Sequence, residues 1–325
     1  MAQIRLALIA GGISGEREVS LAGATEVEKA LDPSRYDINR YDPATDLARL
    51  ASDAGRIDMA FILLHGRFGE DGTMQGFLDM LGIPYQGAGV LGSALAMDKN
   101  LAKTMYKLHG LPVADWRMAG RDDIEVPGRL VEELSLPLVI KPVREGSSLG
   151  MSIVKREEEL APALEKAFSH DSEVMVEQYV SGREVTVGVI GNDTLEALPL
   201  VEIIPGEEFT FFDYQAKYEQ GASTEICPAE VAEHIRARAQ QYAITAHGAL
   251  RLRGYSRTDM IVRGDDLVLL ETNTIPGMTP TSLLPQAAAA HGLDYSALLD
   301  RLIELALSED RRQRTEAGMR QKDNG

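Results

Sequence analysis

The sequence predicts an α/β protein that takes on α+β character in its C-terminal part. The first ninety or so residues repeat the order apolar strand, glycine turn, helix, the signature of a parallel sheet built from βα units. From Ser181 onward strands dominate, with one long helix among them. Hydrophobic residues make up 44% of the 325-residue chain. That is enough to bury real cores, and the length favours two or three cooperating domains over one.

The elements follow in order. Ile4 to Ala10 is a strand-length apolar run that ends at Gly11-Gly12-Ile13-Ser14-Gly15, and helical spacing begins at Glu16. Met1 to Ala10 looks superficially like a signal core, but it runs into glycines without a small-residue cleavage site and reads as a buried strand. A second strand, Met59 to Leu64, ends at His65-Gly-Arg-Phe-Gly-Glu-Asp-Gly72; a helix over Thr73 to Leu81 and a short strand at Ile83 to Gly87 follow. This first unit closes near Val90, and we place the N-terminal domain at residues 1–95. Helical spacing runs from Ser93 to Leu108. Strands Leu136 to Lys141 and Ser152 to Lys155 then flank a glycine- and serine-containing loop, with a helix at Glu158 to Ala167 and a strand at Glu173 to Tyr179. These define a central subdomain, residues 96–180. Strands at Val185 to Ile190, Leu195 to Ile204, Thr258 to Val262 and Leu267 to Leu270, with helices at Ala229 to Leu250 and Tyr295 to Leu307, make a third, residues 181–312. The charged, aperiodic stretch from Ser308 reads as a tail, frayed over 313–325.

Charge and cysteine exclude whole classes. Lys and Arg number 33 against 50 Asp and Glu, a formal net charge of −17. A nucleic-acid partner needs a basic face, which this balance denies, so phosphate would be met by a few local lysines and arginines. The single cysteine, Cys227, rules out an intrachain disulfide framework and Cys-based zinc fingers. No apolar run approaches the ~18 residues that span a bilayer. The expectation is a cytoplasmic protein with no membrane association.

Three clusters carry candidate chemistry. Asp259 and Glu271 fall on adjacent strands, and Asn273, two residues on, shares the face of Glu271. Two carboxylates and an amide are all-oxygen donors, the set that magnesium prefers and completes with water and nucleotide phosphates; ordinary carboxylates at a solvated strand end explain the same residues equally well. The loop from Lys141 to Gly150 could fold backbone N–H groups over phosphates, although it has neither Walker A order nor a G-x-G-x-x-G fingerprint, and a plain hairpin loop is the simpler reading. Gly11 to Glu18 places glycines at a strand-to-helix turn, where Glu16 suits a ligand bearing an ammonium; helix capping by Ser14 is the alternative. His109, His170, His234, His247 and His291 have no paired ligands in sequence and read as structural or solvated.

Together these segments resemble the D-alanine–D-alanine ligases of the ATP-grasp superfamily, from Gly11 through Leu307. Six stretches match in family order: Gly11 to Ser20, His65 to Gly72, Met97-Asp-Lys99, Lys141 to Met151, Tyr214 to Tyr218 and Glu271 to Leu283. The resemblance implies an ATP-grasp fold preceded by a parallel α/β domain. It implies ATP-dependent joining of two D-alanines through a D-alanyl phosphate, for peptidoglycan precursors. In that reading Lys99 and Lys141 contact phosphates, Glu177 with Gln178-Tyr179-Val180 meets adenine, and Glu184 meets ribose. Asp259, Glu271 and Asn273 hold two magnesium ions, with manganese as a substitute. Glu16 binds the ammonium of the first D-alanine beside His65, Arg257 and the Gly277 N–H form the oxyanion site, and Ser282 and Leu283 receive the second carboxylate. Lys217 and Tyr218 lie on a closing loop, with Tyr218 bridging to Ser147 and Glu16. A homodimer follows from the resemblance alone. D-serine or D-lactate as acceptor is the alternative within the family, against which the Lys217-Tyr218 pair weighs; an idle nucleotide sensor would have lost a metal ligand or Arg257, and none is missing.

Overall fold

The structure is a computed structural model that describes residues 3–206 and 223–323. Its N-terminal sheet is parallel, in the order β2-β1-β3, from β1 (Ile4–Ile9), β2 (Tyr36–Tyr41) and β3 (Met59–Ile62). Leu6 to Ile9 and Met59 to Ile62 are buried, as unbroken apolar runs in a covered parallel sheet require. Helices α1 (Arg17–Ala30), α2 (Leu47–Asp53) and α3 (Thr73–Leu81) connect and follow the strands. Strand β2 is not foreseen by the sequence reading, because only Tyr36 and Tyr41 of its six residues are buried; pairing with β1 makes it a strand. The strand expected at Ile83 to Gly87 reduces to a single bridge between Ala60 and Tyr85.

The helix expected over Ser93 to Leu108 is two, α4 (Val90–Met97) and α5 (Lys99–Leu108), broken at Asp98. A second sheet follows, antiparallel in the order β4-β7-β5-β6, from β4 (Trp116–Ala119), β5 (Leu138–Pro142), β6 (Ser152–Val154) and β7 (Val174–Gln178). Helices α6 (Gly128–Glu133) and α7 (Leu160–Phe168) give Leu130, Leu160 and Leu164 to the core on one face of it.

The third sheet is antiparallel, β11-β10-β8-β12-β13 with β9 beside β8: β8 (Arg183–Gly191), β9 (Glu196–Ala197), β10 (Val201–Pro205), β11 (Ser223–Ile226), β12 (Gly254–Arg263) and β13 (Asp266–Asn273). The single strand expected over Leu195 to Ile204 splits at Leu198-Pro199-Leu200, since proline cannot donate to a ladder. Helices α5 and α8 (Glu233–Ala249) pack Tyr106, Ala239 and Ala243 onto one face of this sheet. The other face meets the second sheet across a cleft. Helices α9 (Leu283–Ala290) and α10 (Tyr295–Asp323) share a core with the N-terminal sheet, which ties the first and third parts together. The last helix passes the expected end at Leu307 and is helical to Asp323. Glu309 supports the extension by accepting from Arg312 at 2.9 Å and Gln313 at 2.7 Å.

Candidate active site

The cleft between the second and third sheets holds about 500 Å3. Val139, Met151 and Ile153 line one wall and Ile261 and Leu270 the other, and Gln178, Tyr179, Val180 and Glu184 also border it. At its floor Glu177, on β7, is paired with Lys141, from the neighbouring β5, and with Lys103 of α5 at 2.6 Å. Burial alone would raise the Glu177 carboxyl, but the two ammonium groups prevail and hold it at about 2. Lys99 begins α5, donates to the Glu145 carbonyl at 2.7 Å and lies 3.6 Å from Glu271.

Asp259 and Glu271 are direct cross-strand partners on β12 and β13, followed at once by a bulge in β13 at Leu270. Arg257 sits two residues before Asp259, on the same face, and grips it with both ends of its fork: Nε to Oδ1 at 2.9 Å, Nη2 to Oδ2 at 2.8 Å. Asp259 also accepts from Asn273 Nδ2 at 3.0 Å and from Thr186 Oγ1 at 2.5 Å. On the opposite face of these strands Tyr106 Oη donates to Thr272 Oγ1 at 2.7 Å, and Thr272 bonds Thr258 at 3.0 Å. This buried hydroxyl chain joins α5 to the strands that carry the acids. Among the described residues no three His, Cys, Asp or Glu gather as a metal cluster. Asp259, Glu271 and Asn273 offer oxygen alone and too few ligands for a full shell, which fits magnesium completed by water and phosphate.

Near Arg257 lies a second group of buried residues, Glu16, His65 and Glu70. Glu16, at the start of α1, is 7% exposed and accepts from Ser147 Oγ of the glycine–serine loop. Ser147 and Ser148 adopt left-handed φ angles of 48° and 59°, a strained backbone that costs roughly 1–3 kcal/mol per residue and marks a loop held for a purpose. Gly66 and Gly146 close on the same carboxylate: a Cβ at either would stand 3.0 or 2.9 Å from Glu16 Oε2. His65 is buried with Nδ1 3.1 Å from the Ile275 carbonyl, and burial, helped by Arg257, holds its pKa below the ordinary value against the pull of Glu16. Glu70 accepts from the Gly66 N–H at 2.9 Å and the Ile275 N–H at 3.2 Å; loss of solvent, then the Glu16 charge, push it up to about 7.

The geometry thus gathers Lys99, Lys141, Glu177, Asp259, Glu271 and Ser147 around one cleft. Arg257 and Asn273 join that group through Asp259, and Glu16 through Ser147. Gly277 and Ser282 approach each other past Ile275, where a Cβ on Gly277 would meet Ser282 Oγ at 2.9 Å; Ser282 also bonds Thr279, and Leu283 is buried. Lys217 and Tyr218 lie outside the described residues. Helix capping by Ser14 gives way to a different arrangement, in which Ser14 Oγ accepts from the Glu16 N–H at 3.3 Å and no side chain caps α1. Sequence reasoning missed Lys103, Glu70 and Thr186. Lys103 carried a signal, one helical turn after Lys99, and Glu70 sits inside the His65 to Gly72 stretch; Thr186 carried none.

Known proteins agree with this architecture. The family model for the D-ala D-ala ligase C-terminus matches residues 105–304, and that for the N-terminus matches residues 41–88. A D-alanine–D-alanine ligase of Desulfotalea psychrophila is 60% identical over 311 residues, covering 95% of this chain and 97% of the relative. The crystal structure of a D-alanine–D-alanine ligase from Bacillus anthracis complexed with ATP is 34% identical, with a TM-score of 0.82 over 95% of this chain and 99% of that one. A D-Ala:D-Ser ligase from Enterococcus faecalis is also 34% identical, with a TM-score of 0.81 over 94% of this chain and 100% of its own. By sequence over nearly its whole length, and by a cleft in which lysines face paired carboxylates, this chain belongs to the D-alanine–D-alanine ligase family.

Proposed function

We propose that this chain joins two D-alanines into D-alanyl-D-alanine at the expense of ATP, through a D-alanyl phosphate, to supply peptidoglycan precursors. The observation that carries the reading is the link between two groups of residues: Asp259 and Glu271 border the lysine-floored cleft, Arg257 grips Asp259, and Arg257 and Glu16 both act on His65. A phosphoryl donor on one side and an amino acid on the other would meet there.

The roles follow from the chemistry of each group. Adenine lies between the apolar walls against Glu177, Gln178 and Val180, the ribose reaches Glu184, and Lys99 and Lys141 meet the phosphates as point charges. Asp259, Glu271 and Asn273 would hold two magnesium ions, which would supply positive charge against that of the phosphates. Glu16 receives the ammonium of the first D-alanine, and His65, kept neutral by burial, adds no competing charge. That substrate's carboxylate takes the γ-phosphoryl group. The second D-alanine, held by its carboxylate at Ser282 and Leu283, attacks the acyl carbon as the free amine; the acyl C–O bond breaks, inorganic phosphate leaves and the new amide nitrogen gives up a proton. Arg257 and the Gly277 N–H meet the negative charge that grows on the carbonyl oxygen. The family resemblance gives Lys217 and Tyr218 the task of excluding the water that would hydrolyse the intermediate. The protein works in the cytoplasm as a homodimer. Among the described residues no helix is long and apolar enough to cross a membrane.

The test is phosphate release from ATP with and without D-alanine, followed by mass-spectrometric identification of products from mixed D-alanine, D-serine and D-lactate. D-alanine-dependent release with D-alanyl-D-alanine dominant supports the reading. Release without D-alanine dependence overturns it, and a dominant mixed product moves the acceptor to D-serine or D-lactate.

A further inference from the structure

Two ammonium groups share one carboxylate at the cleft floor. Glu177 is 4% exposed, Lys141 8% and Lys103 1%. With both lysines protonated their charges sum to plus one where solvent hardly reaches, and the cost shows at Lys103, whose pKa burial holds below its ordinary value against the pull of Glu177. Lys141 and Glu177 border the cleft and Lys103 does not. It stands behind Glu177, with the Ala114 carbonyl at 3.4 Å and the Trp116 ring 5.4 Å away.

We infer that Lys103 is a positioning residue, a reserve counter-ion that frees Lys141 from Glu177 to meet a nucleotide phosphate. The inference rests on the nucleotide reading of the cleft. If Lys141 were the only partner of Glu177, its move to phosphate would strand a buried carboxylate, and that cost would hold it back. With Lys103 in place the Lys103–Glu177 pair stays neutral while Lys141 changes partner. Glu177 keeps its charge and its position beside Gln178 and Val180. Lys99 cannot substitute, because its Nζ is directed to the Glu145 carbonyl and Glu271.

Calorimetric titration of the full chain with MgADP and, separately, with adenosine tests this, because only MgADP reports on Lys141 and phosphate. Lys103→Met should weaken MgADP by roughly 10–100-fold, the loss of one charge-assisted contact, and leave adenosine nearly unchanged. In Glu177→Gln nothing restrains Lys141, so adding Lys103→Met to that variant should leave the ratio of MgADP to adenosine affinity where Glu177→Gln alone puts it. Equal weakening of both ligands by Lys103→Met would mean that Lys103 only shapes the purine pocket. A lowered ratio in the double variant would mean that Lys103 touches phosphate itself. Either result overturns the inference and leaves the nucleotide reading intact. Wild-type protein that binds neither ligand would overturn both. If circular dichroism shows Lys103→Met unfolded, the comparison of the double variant with Glu177→Gln still decides.

Discussion

Glu271 shows how much a single side chain carries here. It pairs across the strands with Asp259, lies 3.6 Å from Lys99 and borders the cleft. Glu271→Gln keeps the shape and removes the charge that cations need. Turnover should fall by orders of magnitude at ordinary magnesium while the thermal transition stays in place; near-normal turnover would remove Glu271 from the metal site. Arg257 is irreplaceable for a geometric reason. Its fork holds both oxygens of Asp259, whereas an ammonium is a single point. Arg257→Lys should lose roughly 2.7–4 kcal/mol of transition-state stabilisation, the range for one oxyanion donor. Steady-state kinetics should show the loss in kcat with the KM for ATP far less changed. An equal change in both would place Arg257 in ground-state binding instead.

At the scale of elements, α5 is the lever of the site. It carries Lys99 and Lys103 on successive turns, and its Tyr106 is tied to Thr272 behind the acids. Asp98 starts the helix: its Oδ1 accepts from the Asn100 N–H at 3.1 Å and the Leu101 N–H at 2.9 Å, pairing two of the donors that a helix start leaves free. Asp98→Ala should cost roughly 0.5–2 kcal/mol of stability. The fraying falls on the turn that aims Lys99, so the KM for ATP should rise more than the KM for D-alanine. Thermal unfolding and paired KM measurements check both halves, and an unchanged KM ratio would detach the cap from nucleotide binding.

Across the whole molecule, two buried groups give stability opposite pH slopes. Glu70 binds its proton more tightly when folded, at about 7 against an ordinary 4.5. Its contribution is therefore full below about pH 4.5 and is lost as pH rises toward 7. Burial holds His247, bonded to Ser256 Oγ at 2.8 Å, down to about 4 against an ordinary 6.5. Its contribution is present above about pH 6.5 and is lost as pH falls toward 4. Between about pH 4.5 and 6.5 these two slopes oppose each other, with His65 adding to the rise and Glu145 to the fall. Relative to the wild type, Glu70→Gln should make stability rise more steeply with pH over that window, by up to about 1.4 kcal/mol per pH unit, and His247→Asn should tilt it the other way. Urea unfolding at a series of pH values reads both, and unchanged profiles in the two variants would show that neither group titrates as its surroundings dictate.

The sequence by itself determined whatever depends on neighbours along the chain. Apolar runs ending in glycine marked β1, β3 and α3, and strand parity put Glu271 and Asn273 on one face, where the structure has them. The stretches shared with the family marked most of the candidate site. What parity and periodicity could not reach was decided by contact between distant segments. Strand β2 exists because β1 offers it an edge. The break at Asp98 and the proline split in the expected Leu195 to Ile204 strand were written in residue types, yet apolar spacing ran across both. Ser147 meets Glu16 across 131 residues, and His65 meets Ile275 across 210. Lys103 gains its partner only because β7 brings Glu177 against α5. A charged side chain acquires its function from what desolvates and what opposes it, and for Glu177 and Glu16 those partners come from segments far along the chain.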